Sequence, residues 1–110
     1  MPIWVHFEFL WIPHRFGGHI RPPFENMMTL MGWQEYGDSP NGEARTIRWV
    51  EFDYDETTRE GYARCQFLTD TPLPDGWLKP GLLLELVFGG NRIIAIGRIV
   101  ENRIPEIKPE

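Results

Sequence analysis

Chain breakers constrain this sequence more than any other feature. Among 110 residues there are 11 glycines and 10 prolines, well above the roughly 12% of average usage, and they are dispersed along the chain rather than pooled in a linker. No stretch between them holds a 3.6-residue apolar period for more than two turns, so helices are not expected. Between the breakers apolar residues recur at every second position. Ile3, Val5, Phe7 and Phe9 share one face of a strand, opposite Trp4, His6, Glu8 and Leu10. Over Thr46 to Tyr54 the alternation sets Ile47, Trp49, Glu51 and Asp53 against Arg48, Val50, Phe52 and Tyr54. The second set is expected to supply the apolar face, because the first turns polar toward its end. Runs at Tyr62 to Leu68, Leu82 to Phe88 and Arg92 to Val100 follow, and Asn26 to Trp33 adds a short apolar segment. DETTRE, from Asp55 to Glu60 and closed by Gly61, reads as one hairpin connection, and Gly89-Gly90-Asn91 as another. Six or so short strands with glycine turns between them predict an all-β barrel or sandwich.

At this length about two-thirds of the unfolded chain's surface can be buried, so one apolar core suffices. We expect a single domain over residues 1–102 and a surface tail over 103–110, where two prolines and alternating charge disfavour packing. Five tryptophans suit a small β domain, which needs aromatic area to fill its interior. The lone Cys65 reads as a small core hydrophobe. Acidic residues outnumber basic ones by 16 to 11, for a net charge of −5, which on average repels nucleic acid. No apolar run approaches the roughly 18 residues that cross a bilayer, and Met1 to Leu10 lacks the pattern of a signal peptide. A cytoplasmic protein without a membrane partner is the expectation.

The segment VHFEFLWIPHRFGGHIRPPF, followed downstream by LKPGLLLELVFGGNRIIAIGRIV, resembles the C-terminal (third) β-barrel domain of translation elongation factor Tu. That family's first strand runs into a Gly-Gly-x-x-x-Pro-x-Phe loop, matched here by Gly17, Gly18, Pro22 and Phe24. Its Pro-Gly turn before the penultimate strand is matched by Pro80 and Gly81. Its last hairpin is matched by Gly89, Gly90, Arg92 and Gly97, with Asn91 as a one-residue insertion. The resemblance spans Ile3 to Val100 and implies a six-stranded antiparallel barrel standing as its own domain. There are departures. The family's Tyr-Arg-Pro-Gln-Phe segment is replaced by Asn26-Met27-Met28-Thr29-Leu30, and its Arg-Glu before the last Gly-Gly by Val87-Phe88. In the family both segments are associated with contacts to tRNA or to neighbouring domains. No Gly-rich phosphate loop followed by Lys and Ser or Thr is present, so GTP hydrolysis is not expected of this polypeptide. The resemblance therefore carries over a fold more readily than a function.

Catalytic sets are hard to assemble from these residues. His6, His14 and His19 lack the Cys-x-x-Cys or His-Glu-x-x-His context of a zinc site. Glu51, Asp53, Asp55 and Glu56 read as a solvated hairpin tip with Arg59 and Arg64 as partners. Ser39, the only serine, lies in a Gly-Asp-Ser-Pro-Asn-Gly turn without a nucleophile-elbow pattern. Neither an enzyme nor a metal or cofactor is expected.

The loop from Trp11 to Phe24 carries Trp11, Ile12, Phe16, Ile20 and Phe24, more apolar area than a solvated loop needs. Either it folds over an open barrel end or it presents a patch to a partner. The function read from the chain is a non-catalytic interaction module that binds a protein through Trp11, Phe16, Ile20 and Phe24 beside the turn Gly89 to Asn91. Two settings suit such a module, translation and an immunity or inhibitor role, and homo-oligomerisation through the same patch is the nearest variant. The alternative is an RNA-binding barrel in which Arg15, Arg21, Arg92 and Arg98 contact phosphates beside Trp11 and Phe16.

Overall fold

The period-two runs become six strands, β1 (Trp4–Trp11), β2 (Met28–Trp33), β3 (Ala44–Asp55), β4 (Glu60–Phe67), β5 (Leu83–Phe88) and β6 (Arg92–Ile99). This computed structural model describes residues 3–19, 21–33, 44–68, 78–89 and 92–101. The expected tail over 103–110, Ile20, and the turn positions Gly90 and Asn91 lie outside that set. The strands close into an antiparallel barrel in the order β1-β4-β3-β2-β5-β6, with β6 pairing back onto β1. Closure satisfies backbone donors and acceptors that an open sheet would leave at two edges. Among the described residues the only helical element is one 3-10 turn, His14–Phe16.

That strand order dictates where the loops go. β1 and β2 stand three places apart in a ring of six, so residues 12–27 must cross the barrel mouth to connect them. The β3–β4 hairpin and the β5–β6 turn open at the same mouth, because Leu10 pairs with Glu60 and Trp11 with Ala95. Backbone bonds seat the crossing loop, with Ile12 N–H donating to the Ile94 carbonyl (2.8 Å) and Asn26 N–H to that of Trp49 (2.9 Å). The Trp49 N–H in turn donates to the Met27 carbonyl at 2.8 Å.

One expectation about β3 needs correction. Ile47 and Trp49 face the core, fully buried, and then the register shifts between Trp49 and Glu51. Val50 is the extra residue of a β-bulge, after which Phe52 and Tyr54 turn inward. A bulge adds one residue and so exchanges the two faces of everything beyond it. The apolar face is thus shared by both alternating sets and not supplied by Arg48, Val50, Phe52 and Tyr54. A similar shift opposite Leu86 and Val87 leaves Ile94 and Ala95 of β6 both buried.

Aromatic rings fill the interior. Phe9 meets Trp49 at 5.1 Å between centroids and Trp11 at 5.9 Å, and Phe7 meets Trp49 at 5.4 Å, all edge to face. Such pairs add about 0.5–1.5 kcal/mol each beyond their buried area. Phe9 finds room because its register partners on both sides, Gly61 on β4 and Gly97 on β6, have no side chain. The Trp49 indole N–H donates to the Thr29 hydroxyl at 3.0 Å, which satisfies the one buried polar side chain among the described residues.

Candidate functional site at the barrel mouth

Trp11 continues the odd-numbered face of Val5, Phe7 and Phe9 and is the last residue of β1, only 1% exposed. It is a core residue, which corrects its assignment to a binding surface. Its ring closes the barrel from inside, and its indole N–H donates to the Arg21 carbonyl at 3.1 Å, drawing the crossing loop down as a lid. Gly18, Pro23 and Met27 of that lid are buried. Phe16 and Phe24 point the other way, at 69% and 40% exposure. Ile20 lies outside the described residues. The loop therefore covers the mouth with one side and offers rings to solvent with the other.

Phe24 sits among other rings. His19 packs edge-on against Phe88 at 4.9 Å and lies tilted to Phe24 at 6.4 Å, and Phe24 meets Phe88 at 6.3 Å. The Arg15 guanidinium lies 4.8 Å from the Phe16 ring centre. Arg92, at the start of β6, donates to the Gly18 carbonyl at 3.1 Å and ties the β5–β6 hairpin to the lid. Of the four arginines considered for nucleic acid, Arg15, Arg21 and Arg92 gather at this mouth. Arg98 does not: it sits on the barrel wall, ion-paired with Glu8 at 2.8 Å.

A fourth cation joins them from the β3–β4 hairpin. Asp55 Oδ1 accepts the N–H groups of Thr57 (2.8 Å) and Thr58 (3.4 Å), and the Asp55 carbonyl accepts that of Arg59 at 2.7 Å. This turn forces Arg59 to φ 64°, a left-handed conformation that costs a residue with a side chain about 1 kcal/mol. Arg59 then fixes the hairpin to β1, since its carbonyl accepts the Trp11 N–H at 2.7 Å.

Between hairpin and lid is a concavity of about 280 Å³ bordered by Trp11, Tyr54, Arg21 and Arg59, with His14, His19, Pro22 and Glu56 completing it. Burial pushes the Tyr54 phenol above its usual value of 10.0, and the Arg59 charge and hydrogen bond oppose that shift without cancelling it. At neutral pH Tyr54 is therefore an O–H donor. The His19 ring is oriented by the Arg21 backbone: its Nδ1 lies 3.1 Å from the Arg21 N–H nitrogen and 3.3 Å from the Arg21 carbonyl oxygen, accepting from the one or donating to the other according to its tautomer.

Chemistry of other kinds has less to work with. His6 is on the outer face of β1, with Nδ1 3.0 Å from the Tyr62 hydroxyl, and does not join His14 and His19. Among the described residues no three His, Cys, Asp or Glu side chains are placed to hold a metal ion. Glu51 of the acidic cluster pairs with Arg64 at 3.2 Å across strands. A larger open trough of about 960 Å³ runs along the outer wall, where Leu10, Leu83 and Ile96 are exposed between Glu8, Glu60 and Glu85. It mixes apolar and acidic side chains without a convergent donor set. Among the described residues no helix is long and apolar enough to cross a membrane.

Fold and site together define a small closed antiparallel β-barrel whose mouth brings four arginines and several aromatic rings beside the acidic turn at Asp55 and Glu56. No protein-family model matches this sequence, and comparison with curated proteins gives no match either.

Proposed function

We propose that the protein is a non-catalytic interaction module that docks a protein partner end-on at the lidded mouth. One observation carries this reading: on a chain of net charge −5, Arg15, Arg21, Arg59 and Arg92 lie at the same barrel mouth as the exposed rings of Phe16 and Phe24. Aromatic and arginine side chains are the types enriched in binding surfaces, where a ring supplies area and a guanidinium supplies directed bonds. The arrangement suits a partner with an acidic, partly apolar surface. It is also consistent with the resemblance to the elongation factor barrel, a domain that works by docking, and with roles in translation or as an inhibitor of another protein.

Arginines beside exposed rings also suit a second reading, single-stranded RNA held by phosphate contacts and stacking, although the net charge of −5 opposes it. One experiment separates the two. Affinity capture with wild type and with Phe16→Ala/Phe24→Ala is run beside anisotropy on labelled single-stranded RNA. A partner retained by wild type and lost by the double variant, with no RNA binding at roughly 50 mM salt, supports protein docking. Equal recovery by both proteins overturns it, and salt-sensitive RNA binding gives the mouth to nucleic acid.

A further inference from the structure

We infer that the concavity between hairpin and lid is a phosphate site, taking a phosphate group carried on an aromatic or other flat moiety. The inference rests on the mouth being the binding end, and it names a chemical group that this end recognises. Four side chains that can carry positive charge, Arg21, Arg59, His14 and His19, border one space of about 280 Å³. Glu56 is the single carboxylate on its border. A carboxylate ligand is satisfied by one bidentate guanidinium, whereas two guanidinia, two imidazoles and a phenol O–H offer more donors than its two oxygens use. A phosphate, with three terminal oxygens and up to two charges, matches that set.

Size points the same way. A water takes about 30 Å³ of liquid volume, so the space holds a phosphate and part of the group that bears it. Tyr54, half-buried beside Arg59, adds a ring to the same border, which suits a flat carrier. The backbone that carries two of the donors is held in place before any ligand arrives. The Arg59 main chain is set by the left-handed end of its turn at φ 64°, and that of Arg21 by the Trp11 bond to its carbonyl. Backbone held in a sparsely populated conformation at the edge of a concavity is a recurrent feature of ligand sites.

The probes are inorganic phosphate, phenyl phosphate and acetate, followed by titration calorimetry on the full chain. Wild type is expected to bind phosphate saturably, phenyl phosphate more tightly, and acetate weakly or not at all. Arg21→Gln and Arg59→Gln should each weaken phosphate by about tenfold or more, since each removes a charge-assisted contact. Glu56→Gln should strengthen it, an effect that a purely structural residue would not produce. Folding of each variant is checked by its thermal midpoint, and Arg59→Lys, which keeps the charge, should retain part of the affinity. Absence of saturable phosphate and phenyl phosphate binding overturns the site, as does undiminished binding by a folded Arg21→Gln/Arg59→Gln protein. Phe16→Ala/Phe24→Ala should leave phosphate binding intact, so loss of partner docking and loss of this site are read separately.

Discussion

Gly61→Ala is a one-methyl test of how the barrel is packed. A Cβ at Gly61 would stand 2.2 Å from the Asp53 carbonyl oxygen and 2.5 Å from Cζ of Phe9. Neither neighbour can step aside cheaply. Phe9 is 3% exposed and wedged against Trp49 and Trp11, while the Asp53 carbonyl belongs to the β3–β4 ladder in which Tyr54 pairs with Gly61. Overpacking a close-packed interior costs about 1–3 kcal/mol, and parting the strands weakens ladder bonds worth about 1 kcal/mol each. We expect a loss of about 3 kcal/mol, or on the order of 10 °C in thermal midpoint. Gly32→Ala is the control, because nothing lies within 4 Å of its added methyl. Urea unfolding followed by tryptophan fluorescence measures both variants. A loss below about 1 kcal/mol for Gly61→Ala, or an equal loss for Gly32→Ala, refutes the packing of Phe9 over Gly61.

Three further outcomes are open to measurement. Thr29→Val removes the acceptor of the buried Trp49 N–H and should cost about 1–3 kcal/mol by the same denaturation, although the two side chains are nearly isosteric. Gly89 has φ 65°, so Gly89→Val should destabilise by at least about 1–2 kcal/mol through left-handed strain on a β-branched residue. Burial pushes the Cys65 thiol well above its ordinary value of 9.0. Above that pH the unfolded chain releases a proton that the folded chain keeps, so stability should fall as pH rises, by up to about 1.4 kcal/mol per pH unit. Cys65→Ala should flatten that fall up to the region near 10.0, where Tyr54 begins a similar one. A thiol reagent should label wild type no faster than it unfolds.

Much of the barrel is visible in the sequence because burial writes a period of two into each strand. Val5, Phe7, Phe9 and Trp11 hold one parity along the whole of β1. The breakers from Pro13 onward made Trp11 look like the first residue of a loop, when its parity already placed it in the core. β3 shows the opposite case. A bulge needs no signature residue, and its one trace was that Glu51 and Asp53 turned up on the face that Ile47 and Trp49 had begun. The polar shift was legible, but the switch of faces behind it was not.

The site was less legible because it is assembled by topology. Tyr54 and Arg59 come from one hairpin, Phe88 and Arg92 from another, and Arg15, Arg21 and Phe24 from the loop. Only the ring order of the strands shows that all three meet at one mouth. Arg92 and Arg98 illustrate the difference. Both lie on β6, but six residues of strand separate them by about 20 Å, so one joins the mouth and the other pairs with Glu8 on the wall. Net charge misleads for a similar reason. Glu8, Asp53 and Glu85 border the outer trough, whereas Asp55, Glu56 and Glu60 share the mouth with the arginines, where field strength depends on near neighbours far more than on the sum over the chain. An acidic protein can thus still gather cations locally: Arg21, Arg59, His14 and His19 meet at one concavity on which Glu56 is the single carboxylate, although Asp55 and Glu60 stand on the same hairpin.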